Sequence, residues 1–191
     1  MKQIILASAS PRRKELLEKT GLKFTIHPAN HPEIINEKLS PTELAKQLSL
    51  EKALVVAKNY KDAVIISADT LVVCDGKIFG KPKDKGDAKR MLKILNGKIH
   101  KVITAFTIYD LKTNRQVTKS AESKILFNKV SEKEIEKYIE LNKPFDKAGA
   151  YGIQELPKTF VKKVVGDYDN IVGLPVRDIV RELRKFKVAI S

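Results

Sequence analysis

The chain has one cysteine, Cys74, three histidines and no tryptophan in 191 residues, and each scarcity closes off a class of chemistry. A single thiol forms neither an intramolecular disulfide nor a thiolate zinc site. His27, His31 and His100 are too few for a histidine cage. Any metal would therefore be a hard, oxygen-liganded cation such as magnesium or manganese. No stretch approaches the roughly 18 to 20 apolar residues of a membrane span, and the opening "MKQIILASAS" is too short for a secretory signal. A cytoplasmic protein with no membrane partner is expected. No G-x-x-x-x-G-K-[ST] occurs, which excludes a Walker-type phosphate loop. Aromatic residues make up 6% of the chain and offer few platforms on which bases could stack.

Positive charge is abundant: the formal net charge is +14. Only seven of the 37 basic residues are arginines, and the lysines alternate with acids, as in "KPKDKGDAKR". Spread in this way they read as a solvated surface rather than a stripe that tracks a phosphate backbone, so nucleic acid is not the expected partner. A basic balance does concentrate small polyanionic substrates near a cleft. With 42% hydrophobic residues the chain can bury an ordinary core, and residues 1–191 read as one domain with room for two lobes.

Strand and helix patterns mix without strict alternation. A strand over about residues 2–7 runs into a helix from Pro11 to Lys19 that stops at Gly21. "FTIHP" reads as a short strand, and "SPTELAKQLSLEKALVVAKNY" as a capped long helix with proline at its first position. "AVIISADTLVVCDGKIF" is a strong strand followed by a two-residue hairpin at Asp75-Gly76. "DAKRMLKIL" is helical, residues 99–110 and 116–127 are extended, and "SEKEIEKYIELN" is a capped helix. "TFVKKVV" and "VRDIVRELRKF" supply a last strand and a last helix. The expected class is α/β with a mixed sheet.

Several positions break the local rule. Ser10 stands as helix cap, Pro11 as first helical residue, and Arg12 and Arg13 follow in the first turn. Arginine there opposes the helix dipole. The gain would be a phosphate held by free N–H groups and guanidinium forks; otherwise this is a plain cap with two solvated arginines. Asp69 interrupts a run that is apolar on both faces, so its carboxylate has to be paired, metal-bound or open to a cleft, as a base or as a structural cap. Lys52 shares a helix face with Ala45, Leu48 and Val55, where it either serves a site or snorkels outward. Lys81, in "GKP", could reach a phosphate or be one lysine among many. "FDKAGAYGIQ" (residues 145–154) has glycines that would let a backbone approach a ligand, and Gln154 carries an amide able to read a base edge. Glu33 could join Asp69 as a magnesium ligand.

Taken in order, "SASPRRKELL", "LEKA", "SADTLV", "FGKPKD", "MLKILNGKIHKVIT", "DKAGAYGIQ" and "IVGLP" resemble the Maf proteins, nucleotide pyrophosphatases also described as septum-formation inhibitors, over nearly the whole length. The resemblance implies an elongated mixed sheet flanked by helices, in two lobes with a central cleft, similar to inosine-triphosphatase-like enzymes. It also implies hydrolysis of a nucleoside triphosphate to the monophosphate and diphosphate with a divalent cation, magnesium or manganese, and a homodimer. By the same resemblance Asp69 is the proton acceptor, with Lys52 and Lys81 as catalytic lysines that face the phosphates. Ser8, Arg12 and Arg13 face the phosphates, Arg12, Thr70 and Gln154 set base specificity, and Glu33 lies with Asp69 near the metal. "ADT" and "AYGIQ" match the branch that prefers dTTP and UTP. Pro32-Glu33 stands where an acidic pair is usual, and Ala105 where many members have glycine. His100, on a strand with Val102 and Thr104, reads as structural. A nucleotide-binding regulator of septum formation with little turnover, or a basic nucleic-acid-binding protein, are the alternative readings.

Overall fold

The computed structural model describes residues 2–186 apart from Glu33, Ile35 and Glu37. The sheet is seven-stranded and mixed. Its strands are β1 (Gln3–Leu6), β2 (Thr25–Ile26), β3 (Ala63–Cys74), β4 (Lys77–Phe79), β5 (Ile99–Asp110), β6 (Arg115–Phe127) and β7 (Val161–Val165), in the order β2-β1-β3-β5-β6-β7, with β4 paired to β3 off this path. β1 pairs in parallel with both β2 and β3, whereas β4 on β3 and β7 on β6 are antiparallel. Asp75 and Gly76 both take positive φ, 49° and 74°, which is what a tight two-residue hairpin needs. The mixed sheet expected from the sequence is the one observed.

The helices are α1 (Pro11–Glu18), α2 (Pro41–Ala57), α3 (Lys85–Leu95), α4 (Glu132–Asn142), α5 (Tyr168–Val172) and α6 (Val176–Leu183). Their starts follow from capping chemistry. In α2 and α4 the serines at 40 and 131 each accept from the backbone three residues on, while Glu43 and Glu134 reach back to the serine N–H. These reciprocal bonds satisfy donors that a helix start leaves open. α5 and a short 3₁₀ turn at residues 148–150 are elements that the sequence pattern does not announce.

The chain divides into two compact units. Unit 1 holds residues 1–69, 104–121 and 173–191, and unit 2 holds residues 70–103 and 122–172, so β3, β5 and β6 contribute residues to both. In unit 1, Ile5, Ala7, Ala53, Val56, Ala57, Ala63 and Ile65 form a core between α2 and the strands. In unit 2, Leu92 and Leu95 of α3, Ile135 and Tyr138 of α4, and Phe127, Tyr151 and Phe160 belong to a larger, aromatic-rich cluster.

Candidate active site

In unit 1 the chain leaves β1 and enters α1 through Ser8 and Ser10. Ser10 Oγ caps the helix by accepting from the Arg13 N–H at 3.4 Å, with proline at the helix start and no acid in the first turn. The capped helix start was legible in the sequence. Arg13 turns back onto the protein: Nε donates to the Gly173 carbonyl at 2.8 Å, and Nη1 donates to the Ala68 carbonyl at 2.9 Å and to Ser8 Oγ at 3.3 Å. It therefore braces the residue before Asp69 and orients the Ser8 hydroxyl. Arg12, next to it in the first turn, is half-buried.

Asp69 lies at the centre of β3, a strand buried along nearly its whole length, and is 4% exposed. Lys52 of α2 is 8% exposed, and its Nζ donates to Asp69 Oδ1 in a buried salt bridge. The snorkelling alternative for this lysine is thereby excluded. Two residues back on the same strand face, Ser67 Oγ donates to the Ser49 carbonyl at 2.6 Å, and Ser49 Oγ donates to Thr107 Oγ1 at 2.9 Å. A helix step of three facing a strand step of two thus repeats a polar rung, Ser49–Ser67 and then Lys52–Asp69. The buried stripe of α2 continues to Val56, with Val55 only half-buried, one position away from the stripe expected from spacing. A buried carboxylate is tolerable when it is paired.

Unit 2 carries the remaining candidates. Thr70, half-buried, follows Asp69 and points to the opposite strand face. Lys81 is exposed, between Gly80 and the buried Pro82. The loop at residues 146–155 is tied to it through the backbone, since the Gly149 N–H donates to the Gly80 carbonyl at 3.0 Å. Gly149 has φ 68°, and a Cβ there would meet the Val72 side chain at 3.0 Å, so both conformation and space require glycine. Ala150 also takes positive φ, 61°, in a fully buried position. Gln154 is exposed at the end of this loop.

Glu33 lies outside the described residues. Among the described residues no group of three His, Cys, Asp or Glu side chains could hold a metal ion. His100 is structural, as expected: its Nε2 lies 2.8 Å from Tyr151 Oη, its ring stands edge-on to Phe127, and burial pulls its pKa down to about 4. Two features escaped the sequence. Arg13's acceptors come from positions 68 and 173, remote in the chain. Lys147, in a stretch with no apolar period to mark burial, is a buried ammonium; Gly152 and the acids at 146 and 155 were its only visible signal.

A family model described as "Maf-like protein" matches residues 3–186. A dTTP/UTP pyrophosphatase of Alkaliphilus oremlandii is 48% identical over 177 residues, covering 92% of each chain. A dTTP/UTP pyrophosphatase of Bacillus pumilus is 45% identical over 188 residues, covering 98% of each. A crystal structure of a nucleoside-triphosphatase / dITP/XTP pyrophosphatase from Mycobacterium abscessus aligns over 97% of both chains with a TM-score of 0.46 and 12% identity.

Proposed function

The chain belongs to the Maf-like protein family, and from that premise we propose that it is a nucleoside triphosphate pyrophosphatase that hydrolyses dTTP and UTP to the monophosphate and diphosphate. The observation that carries the reading is the buried Lys52–Asp69 pair on the central strand. Asp69 accepts a proton from water as the water oxygen attacks the α-phosphorus. The bond to the α–β bridging oxygen breaks and diphosphate leaves with that electron pair. Lys52 holds the carboxylate in place. Arg12 and Lys81 neutralise charge on the phosphate oxygens, Ser8 offers its hydroxyl, and Arg13 supports the phosphate side through its brace on Ser8 and Ala68. Thr70 and Gln154 read the base. The amide of Gln154 can both donate and accept, which suits the O4/N3–H edge of uracil or thymine.

A divalent cation fits this donor set in one way. Asp69 supplies a carboxylate, and magnesium commonly binds through one or two carboxylates plus substrate phosphates and water. Asp69 would touch a cation carried in by the triphosphate, and Glu33 is the second candidate ligand. When bound, the ion would offset negative charge on the phosphates. Residues 1–191 are taken as one functional domain, a reading supported by a family match that runs through both units. A cytoplasmic homodimer belongs to the same proposal; among the described residues no helix is long and apolar enough to cross a membrane.

The test is a panel of dTTP, UTP, CTP and GTP incubated with magnesium, with diphosphate and orthophosphate both quantified. The expected result is stoichiometric diphosphate, fastest from dTTP and UTP, with no orthophosphate. Tight binding without diphosphate release would instead support a nucleotide-binding regulator.

A further inference from the structure

Gln154 sits on a loop whose shape is held from below by a side chain that itself has no place in the proposed chemistry. Lys147 is 8% exposed, and its Nζ lies 2.8 Å from Asp146 Oδ1 and 3.2 Å from Glu155 Oε2. The bond to Asp146 joins neighbours and constrains little. The bond to Glu155 is different, because it closes a ring from residue 147 to the residue immediately after Gln154.

Three further observations show that the ring is built rather than incidental. The lysine stem crosses Gly152: a Cβ there would stand 3.0 Å from Lys147 Cε, 3.1 Å from Cδ and 3.2 Å from Glu155 Cδ. Glycine at 152 therefore makes room for the ion pair. The turn that contains Gln154 is closed by the N–H groups of Glu155 and Leu156, which donate to the Gly152 carbonyl at 2.9 and 3.1 Å, while the Gly152 N–H donates to Tyr138 Oη at 3.0 Å. Inside the ring, Gly149 and Ala150 both take left-handed φ. A non-glycine residue holds that conformation only where its surroundings impose it.

We propose that Lys147 and Glu155 form a clasp that fixes the turn carrying Gln154, which makes Lys147 a positioning residue for selection of the base. The inference rests on the reading of Gln154 as base-facing. A buried ammonium has to be paired, so the lysine keeps Glu155, and with it the adjacent amide, in one place. Neither clasp residue touches the phosphates in this account, so loss of the clasp acts on discrimination and KM more than on the chemical step.

The test measures kcat and KM for dTTP, UTP, CTP and GTP, with Tm, in the wild type, Lys147→Met, Glu155→Gln, Gln154→Ala and the Lys147→Met/Gln154→Ala double variant. Glu155→Gln keeps the side-chain length and guards against a Lys147 variant that does not fold. Misplacement of a positioned group costs about 10- to 100-fold. Lys147→Met and Glu155→Gln should therefore each narrow the preference for UTP over CTP by about tenfold or more through KM, with kcat for UTP within about threefold of wild type. Lys147→Met should change the ranking no further once Gln154 is alanine. A uniform loss of kcat and Tm with the ranking intact would overturn the clasp's role in selection. If Gln154→Ala changes the ranking and the clasp variants do not, the inference fails alone. If Gln154→Ala leaves the ranking unchanged, the base-facing reading fails first and takes the inference with it.

Discussion

Arg12 and Arg13 are adjacent in the sequence, in the first turn of α1. Arg13 is committed to the carbonyls of Ala68 and Gly173, partners 55 and 160 positions away, and no local pattern could have announced them. The helix cap and the anomaly of arginine at a helix start were legible; the partners of Arg13 were not, because side-chain direction is decided by what the fold brings close. The two substitutions should separate accordingly. Arg12→Ala should raise KM for UTP and lower kcat/KM with Tm nearly unchanged, since an arginine at a helix start does not favour the helix. Arg13→Ala removes hydrogen bonds from a charged donor and should cost about 2 kcal/mol of stability, seen as a fall in the urea midpoint. A stability loss confined to Arg12→Ala would reverse the assignment. Asp69 and Lys52 were each legible as a charge set into an apolar pattern, yet neither pattern names the other as its partner.

At the level of elements, the signals that worked were chemical punctuation. Serine caps, prolines at helix starts and the Asp75-Gly76 hairpin lie within a few residues of what they control, and their elements appear where expected. The 148–150 turn did not announce itself because its shape depends on Val72 and on the Gly80 carbonyl, both remote in sequence. His100 on β5 gives this scale its prediction. Burial lowers its pKa from an ordinary 6.5 to about 4, so between those values the unfolded chain binds a proton that the folded one does not. The contribution to stability is therefore full above about pH 6.5 and is lost as pH falls toward 4, up to about 3 kcal/mol. His100→Gln keeps a polar group able to reach Tyr151 Oη and removes the titration. Its Tm should fall less steeply than that of the wild type between pH 6.5 and 4; parallel slopes would show that carboxylates alone set the acid limit.

For the whole molecule, the charge of +14 is distributed over a surface where many lysines face acids. Lys89 bridges Glu132 and Glu136, which hold its pKa up at about 12; Lys85 meets Glu140 at 2.9 Å and Lys98 meets Asp75 at 2.7 Å. Exposed pairs of this kind contribute little to stability individually. The net field remains, and it acts on the encounter with a polyanion. Raising ionic strength from about 0.05 to 0.5 M should therefore lower kcat/KM for UTP several-fold while Tm shifts only slightly, because the Debye length contracts below the reach of the field. A kcat/KM independent of salt would remove the basic surface from the account. The mixed character of the sheet was legible from the irregular order of strands and helices. Two lobes were expected, but where the chain divides was not legible, because β3, β5 and β6 contribute to both units and no linker or composition shift marks a boundary.

In the proposed reaction, water activated by Asp69 attacks the α-phosphorus of a pyrimidine triphosphate. Hydrolysis of UTP in ¹⁸O-labelled water, with mass spectrometry of both products, tests it most directly in the wild type and in Asp69→Asn. The expected result is one ¹⁸O in UMP, none in diphosphate, and a rate at least ~100-fold lower in Asp69→Asn, the scale of general-base removal, with UTP binding largely retained. Label in the diphosphate, or an Asp69→Asn variant that turns over at the wild-type rate, would contradict it.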